Sequence, residues 1–373
     1  MEINQDVLAG TAVYKLNPAD IDHLFRRSGL KGNSLSSCSY NAEQAATSSP
    51  SELFKKLSES PQFRPIAQHL LEPDLKIQFN SGGAGTAKDQ YYALLSADDK
   101  SVLVQMTNSD GDILLMLFPD WDSYLAWWID VYASPGMDGY QTIFPNIMET
   151  EVLVCALHCV DIYRRAYMES MLDYRGGVDL SLSIQDFVQL LKRALASGDQ
   201  RWLLPTMFEI TPGLKNASIA LNPDHLKQIE ELGFIITDAD TINLGERARI
   251  MGTEFITSWI GAFGWQAAAL INGQERSLSR VFLAPTAFTN HLVSFETAEA
   301  GKSRFRHQAA DRQALLRILS DWMKALSQAV GLTAGVASSE PLAASEPPAR
   351  FCSNCGAEIR PGKRFCTACG SAL

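Results

Sequence analysis

Four cysteines near the end of the chain have the spacing of a metal site. The tail reads FCSNCGAEIRPGKRFCTACGSAL, with one pair at Cys352 and Cys355 and a second at Cys366 and Cys369. Two cysteines separated by two residues in a tight turn direct both sulfurs at one ion, and the glycine after each pair permits such a turn. Two pairs provide four thiolates, so the sequence predicts one structural Zn²⁺ ion held by these four residues.

The predicted site has consequences for folding and for catalysis. A module this short has almost no apolar core, so metal binding must supply its folding free energy. Four protein ligands leave no open position for water, and a structural ion is therefore expected rather than a catalytic one. Redox-active dithiols or unliganded thiols are the alternative for such cysteines, but the presence of both pairs favours metal. The tail resembles the short zinc-ribbon modules that end many bacterial and archaeal proteins, which implies zinc and an interaction role.

The composition describes a globular protein with an acidic body. The 373 residues are 46% hydrophobic and 20% charged, and the net charge is −10. The tail, 350–373, carries four basic residues and one glutamate, a net +3 that leaves −13 for the rest of the chain. An acidic surface repels a phosphate backbone, so nucleic acid is not expected as the main ligand.

Hydropathy and cysteine usage indicate the compartment. The start, MEINQDVLAG, lacks the basic and apolar regions of a signal peptide. No apolar run reaches the ~18–20 residues that span a bilayer. Cysteines concentrated in a metal-binding pattern are typical of a reducing compartment. We therefore expect a cytoplasmic protein without a membrane span.

A segment of low complexity separates the tail from the body. The stretch VGLTAGVASSEPLAASEPPAR, 330–350, is rich in Ala, Ser, Pro and Glu and has no periodic apolar face, which predicts a flexible tether. The predicted organisation is a first α+β repeat at 1–147, a linking helix at 148–175, a second α+β repeat at 176–329, a flexible linker at 330–349 and the zinc ribbon at 350–373.

The body repeats a helix-opening pattern. YKLNPADIDHLFRRSGL, 14–30, returns as IALNPDHLKQIEELGF at 219–234. Each copy predicts a helix with Asn at the N-cap, Pro at the first helical position and Gly beyond the C-terminus.

A second, longer similarity within the chain concerns the predicted strands. Residues 91–134 can be laid over 282–325 at a constant offset of 191, and both read strand, turn, strand, turn, strand, helix. Asp120 and Asp311 are placed to cap the two closing helices. We therefore predict an α+β fold of two tandem pseudo-repeat units. Each unit is a small antiparallel sheet with flanking helices, and the zinc ribbon follows on its linker.

Two further groups of residues are candidates for a site. The helix DWDSYLAWWIDVY, 120–132, carries Trp121, Trp127 and Trp128, which are candidate partner-binding residues because aromatic side chains anchor protein interfaces. The alternative is that they form core.

The motif CALHC places Cys155, His158 and Cys159 within about one turn of the predicted linking helix. With Cys38 it offers the ligands of a second metal site. The alternative is that these cysteines are small apolar residues of a buried helix.

The body also resembles, in its architecture, the EspG-type chaperones of type VII secretion. The resemblance rests on the Leu16-Asn17-Pro18 opening and on the sheet and closing helix of 91–134. It implies cytosolic binding of a secreted helical client through the sheet and loops of one half. The leading hypothesis is therefore a non-catalytic cytosolic protein-binding adaptor or secretion-type chaperone with a structural zinc ribbon.

Two other functions stay open. The segment 221–255 has the helix, Gly, hairpin, helix order typical of a winged-helix nucleic-acid-binding regulator, and zinc ribbons accompany such proteins. Its helix, however, holds Asp224, Glu230 and Glu231 against Lys227 alone, which is a poor match to DNA. The second alternative is an enzyme with an unrecognised site between the two halves. An enzyme is not expected, because the chain has no GxSxG, HExxH or Walker motif.

Overall fold

The computed structural model describes residues 12–83, 88–96, 99–178, 180–214, 219–297, 303–331, 350–351 and 358–359. Contacts divide the chain into two compact units, Met1–Ala334 and Gly335–Leu373. The first unit combines helices with antiparallel strands, which confirms the predicted α+β class. Among the described residues, no helix combines the length and the apolar character needed to cross a bilayer.

The first half of the large unit contains five strands and five helices among its described residues. They are β1 (Ala12–Leu16), α1 (Pro18–Ser28), α2 (Ala42–Thr47), α3 (Glu52–Ser58), α4 (Phe63–Leu71), β2 (Leu75–Gly82), β3 (Gln90–Ser96), β4 (Asp99–Thr107), β5 (Ile113–Phe118) and α5 (Trp121–Tyr132).

The second half repeats this plan with an insertion after its first helix. Its elements are β6 (Ile147–Glu149), α6 (Thr150–Leu172), β7 (Ser181–Ser183), α7 (Ile184–Ala196), α8 (Leu203–Ile210), α9 (Pro223–Glu231), β8 (Ile235–Asp238), β9 (Thr241–Leu244), α10 (Glu246–Thr257), β10 (Ala262–Ile271), β11 (Gln274–Pro285), β12 (Asn290–Thr297), β13 (Ser303–Ala310) and α11 (Arg312–Ala329).

The two small sheets join edge to edge into one sheet of ten strands. Its order is β1-β5-β4-β3-β2-β10-β11-β12-β13-β6, so the two halves are mirrored about the β2–β10 pair. That pair is antiparallel, with Phe79 opposite Trp265. The predicted pseudo-repeat therefore exists, and its two copies share one sheet.

The longer sequence echo corresponds to equivalent elements. At the offset of 191, β4, β5 and α5 fall on β12, β13 and α11. Asp120 and Asp311 cap the closing helices as predicted, accepting hydrogen bonds from the backbone N–H of Ser123 and of Ala314, both at 2.7 Å. Both helices pack in one apolar core, in which Trp128 lies 4.8 Å from Trp265 between ring centres.

The shorter echo is local and is not part of the repeat. Asn17 and Asn222 cap α1 and α9 in the same way, each with Pro at the next position. However, α1 follows the edge strand β1 of the large sheet, whereas α9 precedes the hairpin of a separate small sheet. The topological counterpart of α1 is α6, which follows the opposite edge strand β6. The shared Leu-Asn-Pro sequence therefore starts a helix in the same way at two places that are not equivalent in the fold.

The insertion between α6 and α10 has a sheet of its own. Its three strands run in the order β7-β9-β8. The predicted order of helix, Gly, hairpin and helix is confirmed by α9, Gly233, β8–β9 and α10. Gly233 has φ of 75°, a left-handed conformation that side chains with a Cβ rarely adopt.

Helix α8 fixes this insertion to the middle of the large sheet. The amide of Asn80 donates to the carbonyl of Ile210 at 2.8 Å. On the neighbouring strand, a Cβ at Gly264 would lie 2.3 Å from the same carbonyl oxygen, so only glycine permits this approach. The insertion is therefore held where the two halves of the sheet meet.

The small unit contains a described strand pair. β14 (Arg350–Phe351) and β15 (Glu358–Ile359) are antiparallel, with Arg350 opposite Ile359.

Candidate binding groove

Helices α6 and α7 form the walls of a groove of about 480 Å³. The α6 wall consists of His158, Asp161, Ile162, Arg165, Ala166 and Glu169. The α7 wall consists of Asp186, Gln189, Leu190, Arg193, Ala194 and the capping Ser197. Both sets follow the spacing i, i+3, i+4, i+7, i+8, i+11, so each helix presents one face over three turns. At the helical rise this length is about 16 Å.

Apolar side chains from neighbouring segments complete the groove. Leu180 precedes β7 and Leu182 lies within it, and Trp202 and Pro205 come from the start of α8. With Ile162, these residues give the groove a mainly apolar lining.

His158 lies in the floor and is 3% exposed. Its ring packs on Phe187 at 5.0 Å between ring centres, and its Nε2 lies 3.3 Å from the Phe187 carbonyl oxygen. Because a carbonyl oxygen only accepts, Nε2 carries the proton and Nδ1 is a bare acceptor. Burial lowers the pKa of His158 to about 4. Within the part of the chain that the structure describes, Nδ1 has no hydrogen-bond partner.

A buried ion pair supports the floor from α6. Arg164 Nη1 donates to Asp161 Oδ1 at 2.8 Å, and both side chains are less than 10% exposed. Asp161 also accepts from the backbone N–H of Leu203 and of Leu204, at 2.9 and 2.8 Å, which caps α8. Burial raises the pKa of Asp161, although Arg164 and these N–H groups pull it down. The pair therefore joins α6 to α8 beneath the groove.

Two tryptophans enclose the Arg164 guanidinium. Its carbon lies 4.8 Å from the Trp259 ring centre and 5.5 Å from that of Trp202. Cation–π contacts of this kind are strongest where water is excluded. Since Trp202 also lines the groove, its packing on Arg164 holds the Trp202 side of the lining in place.

The rim carries charges of both signs. Arg165 pairs with Glu169 at 2.8 Å along α6, and both are exposed. On α7, Asp186 accepts from the Ser183 hydroxyl at 2.7 Å, and Arg193 is exposed two turns further on. A ligand in the groove would meet an apolar floor between charged edges.

The end of α6 exposes further apolar surface. Met168, Met171 and Leu172 are 37%, 55% and 78% exposed, and Tyr174 just beyond the helix is 98% exposed. Leu172 follows Glu169 by three residues, so it continues the groove face of α6. Exposed apolar residues clustered in this way are typical of interaction sites.

The three tryptophans singled out from the sequence lie against the large sheet. Trp127 is 9% and Trp128 is 0% exposed, and the half-buried Trp121 packs on the same core. Trp127 contacts Phe118 with 5.4 Å between ring centres. The three side chains therefore occupy core positions, which was the alternative to a partner-binding surface.

The cysteines of the CALHC motif do not assemble a metal site. Cys155 and Cys159 are buried in the core around α6, and Cys38 packs in a different core beside α1. Burial raises the pKa of Cys38 to about 11 and that of Cys155 to about 12. No group of three or more His, Cys, Asp or Glu side chains in the described ranges is arranged to hold a metal ion.

A buried polar network was not predicted from the sequence. Glu254 accepts from His291 Nε2 at 2.9 Å and from the hydroxyls of Thr286 and Tyr140, each at 2.6 Å. His291 Nδ1 lies 3.0 Å from His307 Nε2. Burial raises the pKa of Glu254, but these hydrogen bonds outweigh burial and hold the pKa below its ordinary value. Burial lowers the pKa of His307 well below the ordinary value of a histidine. With both carboxylate oxygens engaged, the network ties together segments that are distant in sequence.

The predicted zinc ligands Cys352, Cys355, Cys366 and Cys369 lie outside the described residues, as does the predicted linker at 330–349 apart from Val330 and Gly331. The first cysteine pair falls, in sequence, between the paired strands β14 and β15. Four thiolates in two CxxCG pairs are a donor set that suits tetrahedral Zn²⁺. The residues present therefore fit a structural zinc ion.

Comparisons with known proteins concern both units. The sequence profile of the zinc-ribbon domain family matches residues 351–373, so the tail carries a zinc-ribbon domain. No curated protein matches the chain. Among solved structures, the chain is similar to the Mycobacterium tuberculosis type VII secretion system chaperone EspG5, solved in complex with the PE25-PPE41 dimer. That match has 10% sequence identity and a TM-score of 0.42, and it covers 82% of this chain and 94% of the other.

Proposed function

We propose that this protein is a non-catalytic cytoplasmic adaptor or chaperone that holds a helical segment of a protein client between α6 and α7. The observation that carries the proposal is the matched spacing of the two walls, each of which lines the groove over three turns. An apolar groove between two helix faces is a common way to bind an amphipathic helix. A client helix of about 11 residues has the length of this groove.

The rim supplies a basis for selecting the client. Arg165 and Glu169 on one side, and Asp186 and Arg193 on the other, place both signs of charge at the edges of the apolar floor. Charges at a rim contribute more to orientation and partner choice than to affinity. The exposed Leu172 extends the apolar surface along α6 and supports a contact longer than the groove itself.

We assign the zinc ribbon a separate role. In this proposal Cys352, Cys355, Cys366 and Cys369 hold one Zn²⁺ ion that folds the tail as a second binding module. The unpaired thiols of Cys155 and Cys159 within α6 fit the reducing conditions of the cytoplasm.

Site-specific photo-cross-linking tests the client groove. A photoreactive phenylalanine at Ala166 or Gln189, both in the groove lining, is expected to capture the same client in host cells. The matched control is Lys192, an exposed residue of α7 outside the lining. Purified client should then bind the Leu190→Asp variant at least tenfold more weakly, because the charge disrupts the apolar wall. Identical capture at Lys192, or unchanged binding by Leu190→Asp, contradicts the proposal.

A winged-helix nucleic-acid-binding function is the second candidate. The β7-β9-β8 order and the preceding helices favour it. Against it, α9 exposes Asp224 and Glu231, and the hairpin turn exposes Asp238 and Asp240. A negative face repels phosphates. Binding of duplex DNA at low salt, weakening steeply as salt is added, supports this candidate; no binding at low salt removes it.

A further inference from the structure

The groove floor contains a buried acceptor without a partner. His158 Nδ1 bears a lone pair, because Nε2 carries the ring proton toward the Phe187 carbonyl oxygen. No side chain or backbone group in the described residues donates to Nδ1. A buried polar atom left unpaired costs free energy, and such atoms in native proteins call for an explanation.

The surroundings restrict what can pair with this atom. The imidazole stays neutral at physiological pH, so the floor offers no cation to an anionic ligand. Asp161, the other buried polar side chain of the lining, is already engaged by Arg164 and by two backbone N–H groups. The remaining lining near the floor is apolar, including Ile162 and Leu182. The floor therefore contains one unpaired acceptor, covered in the free protein, in an apolar setting.

An indole matches this setting better than other side chains do. Its N–H is a donor with no accepting atom, so pairing with Nδ1 leaves no polar atom of either partner unsatisfied. A phenol or an amide brings an oxygen that would itself need a donor, and an ammonium brings a charge. The indole also buries a large apolar area, and tryptophan is enriched at the centres of protein interfaces.

We propose that the groove anchors a tryptophan side chain of the client helix, with the indole N–H donating to His158 Nδ1. This inference rests on the proposed adaptor function, since the anchor belongs to the bound helix. Nδ1 is covered in the free protein, so the indole displaces covering side chains as it enters. The hydrogen bond that forms gives Nδ1 a partner, which it lacks among the described residues of the free protein.

A pair of small probes tests the anchor with the full-length protein. 3-Methylindole reproduces the tryptophan side chain, and 3-methylbenzofuran has the same shape with an oxygen in place of the N–H. Titration calorimetry is expected to give about five- to tenfold tighter binding for the indole, the effect of one neutral hydrogen bond. In His158→Phe the ratio should fall to about one. In the control His23→Phe, on α1, the ratio should stay as in the wild type.

A spectroscopic readout removes the dependence on a variant that folds poorly. In ¹⁵N-histidine-labelled wild-type protein, the Nδ1 resonance of His158 should move on adding 3-methylindole and stay in place with 3-methylbenzofuran. Equal affinities for the two probes, or an unmoved Nδ1 resonance, overturns the anchor. Client cross-linking without probe discrimination rejects only the tryptophan anchor. Probe discrimination without a cross-linked client rejects only the adaptor function.

Discussion

Acidification from pH 7.5 to 5.0 should destabilise the body through two buried histidines. His158 and His307 are 3% and 2% exposed, and burial lowers the pKa of both, to about 4 for His158 and well below the ordinary value for His307. In the unfolded chain each has a pKa of about 6.5. Below that pH the unfolded state binds protons that the folded state does not, so the free energy of unfolding falls as pH falls.

The magnitude follows from the width of that pH window. Each pH unit between 6.5 and 5.0 removes about 1.4 kcal/mol for a histidine that stays neutral in the folded state, so His158 contributes about 2 kcal/mol, and His307 adds to this loss in the same direction. That is a large share of the ~5–15 kcal/mol that stabilises a typical protein. Stopping at pH 5.0 keeps the measurement above the ordinary pKa values of Asp and Glu, which separates the histidine effect from acid denaturation by carboxylates.

Urea unfolding followed by tryptophan fluorescence measures this effect at a series of pH values. The wild type should lose more than about 2 kcal/mol of unfolding free energy between pH 7.5 and 5.0, and His158→Phe should lose about 2 kcal/mol less than the wild type does. Gly176→Ala, which changes no titratable group and has no atom within 4 Å of the added Cβ, serves as the control and should follow the wild-type curve. A flat wild-type curve, or equal pH slopes for the wild type and His158→Phe, refutes the assignment of neutral buried imidazoles.

Three further predictions concern the support of the groove, the central strands and the tail. Arg164→Ala leaves the buried Asp161 carboxylate uncompensated and should lower the free energy of unfolding in urea by about 3–5 kcal/mol. The control Arg165→Ala removes an exposed charge and should lower it by at most about 1 kcal/mol. Similar losses in the two variants would contradict the assignment of a buried ion pair. Gly264→Ala should lower the free energy of unfolding by about 1–3 kcal/mol, because the added Cβ meets the Ile210 carbonyl of α8. The control Gly176→Ala, with no atom within 4 Å of the added Cβ, should change it by at most about 0.5 kcal/mol. An unchanged stability of Gly264→Ala would show that α8 does not dock there. Mass spectrometry of metal content should find one zinc ion per wild-type chain and none in Cys366→Ser, and retention of zinc by the variant argues against a four-cysteine site.

Local signals in the sequence were sufficient for three strands in each half of the large sheet, β3–β5 and β11–β13, and for the two closing helices, but not for β1, β2, β6 or β10. The alternation of apolar residues, the turn glycines and the caps at Asp120 and Asp311 act within a few residues, so they could be read without knowing the fold. The pairing of β2 with β10 joins segments about 190 residues apart, and nothing local specifies which strand edges meet. For the same reason the sequence predicted two small sheets and not one large sheet.

The groove and the buried network depend on distant contacts as well. The faces of α6 and α7 each have a helical period, but only the fold sets them opposite each other. His291 and His307 lie on neighbouring strands, and their contact depends on a register that matches Val293 with His307. Trp127 and Trp128 carried an ambiguous signal because aromatic residues suit both cores and interfaces. In the structure both side chains pack in the core against the large sheet.

The central position of the β2–β10 pair has a consequence during synthesis. When β2 leaves the ribosome, its partner is still about 190 residues away, which corresponds to roughly 10–40 s of translation. Throughout that interval the first half carries an eight-residue strand edge that is free to bind other nascent chains. Messages interrupted before β10 is translated should therefore yield products that aggregate, and the time for which the edge is open depends on how fast the insertion is translated.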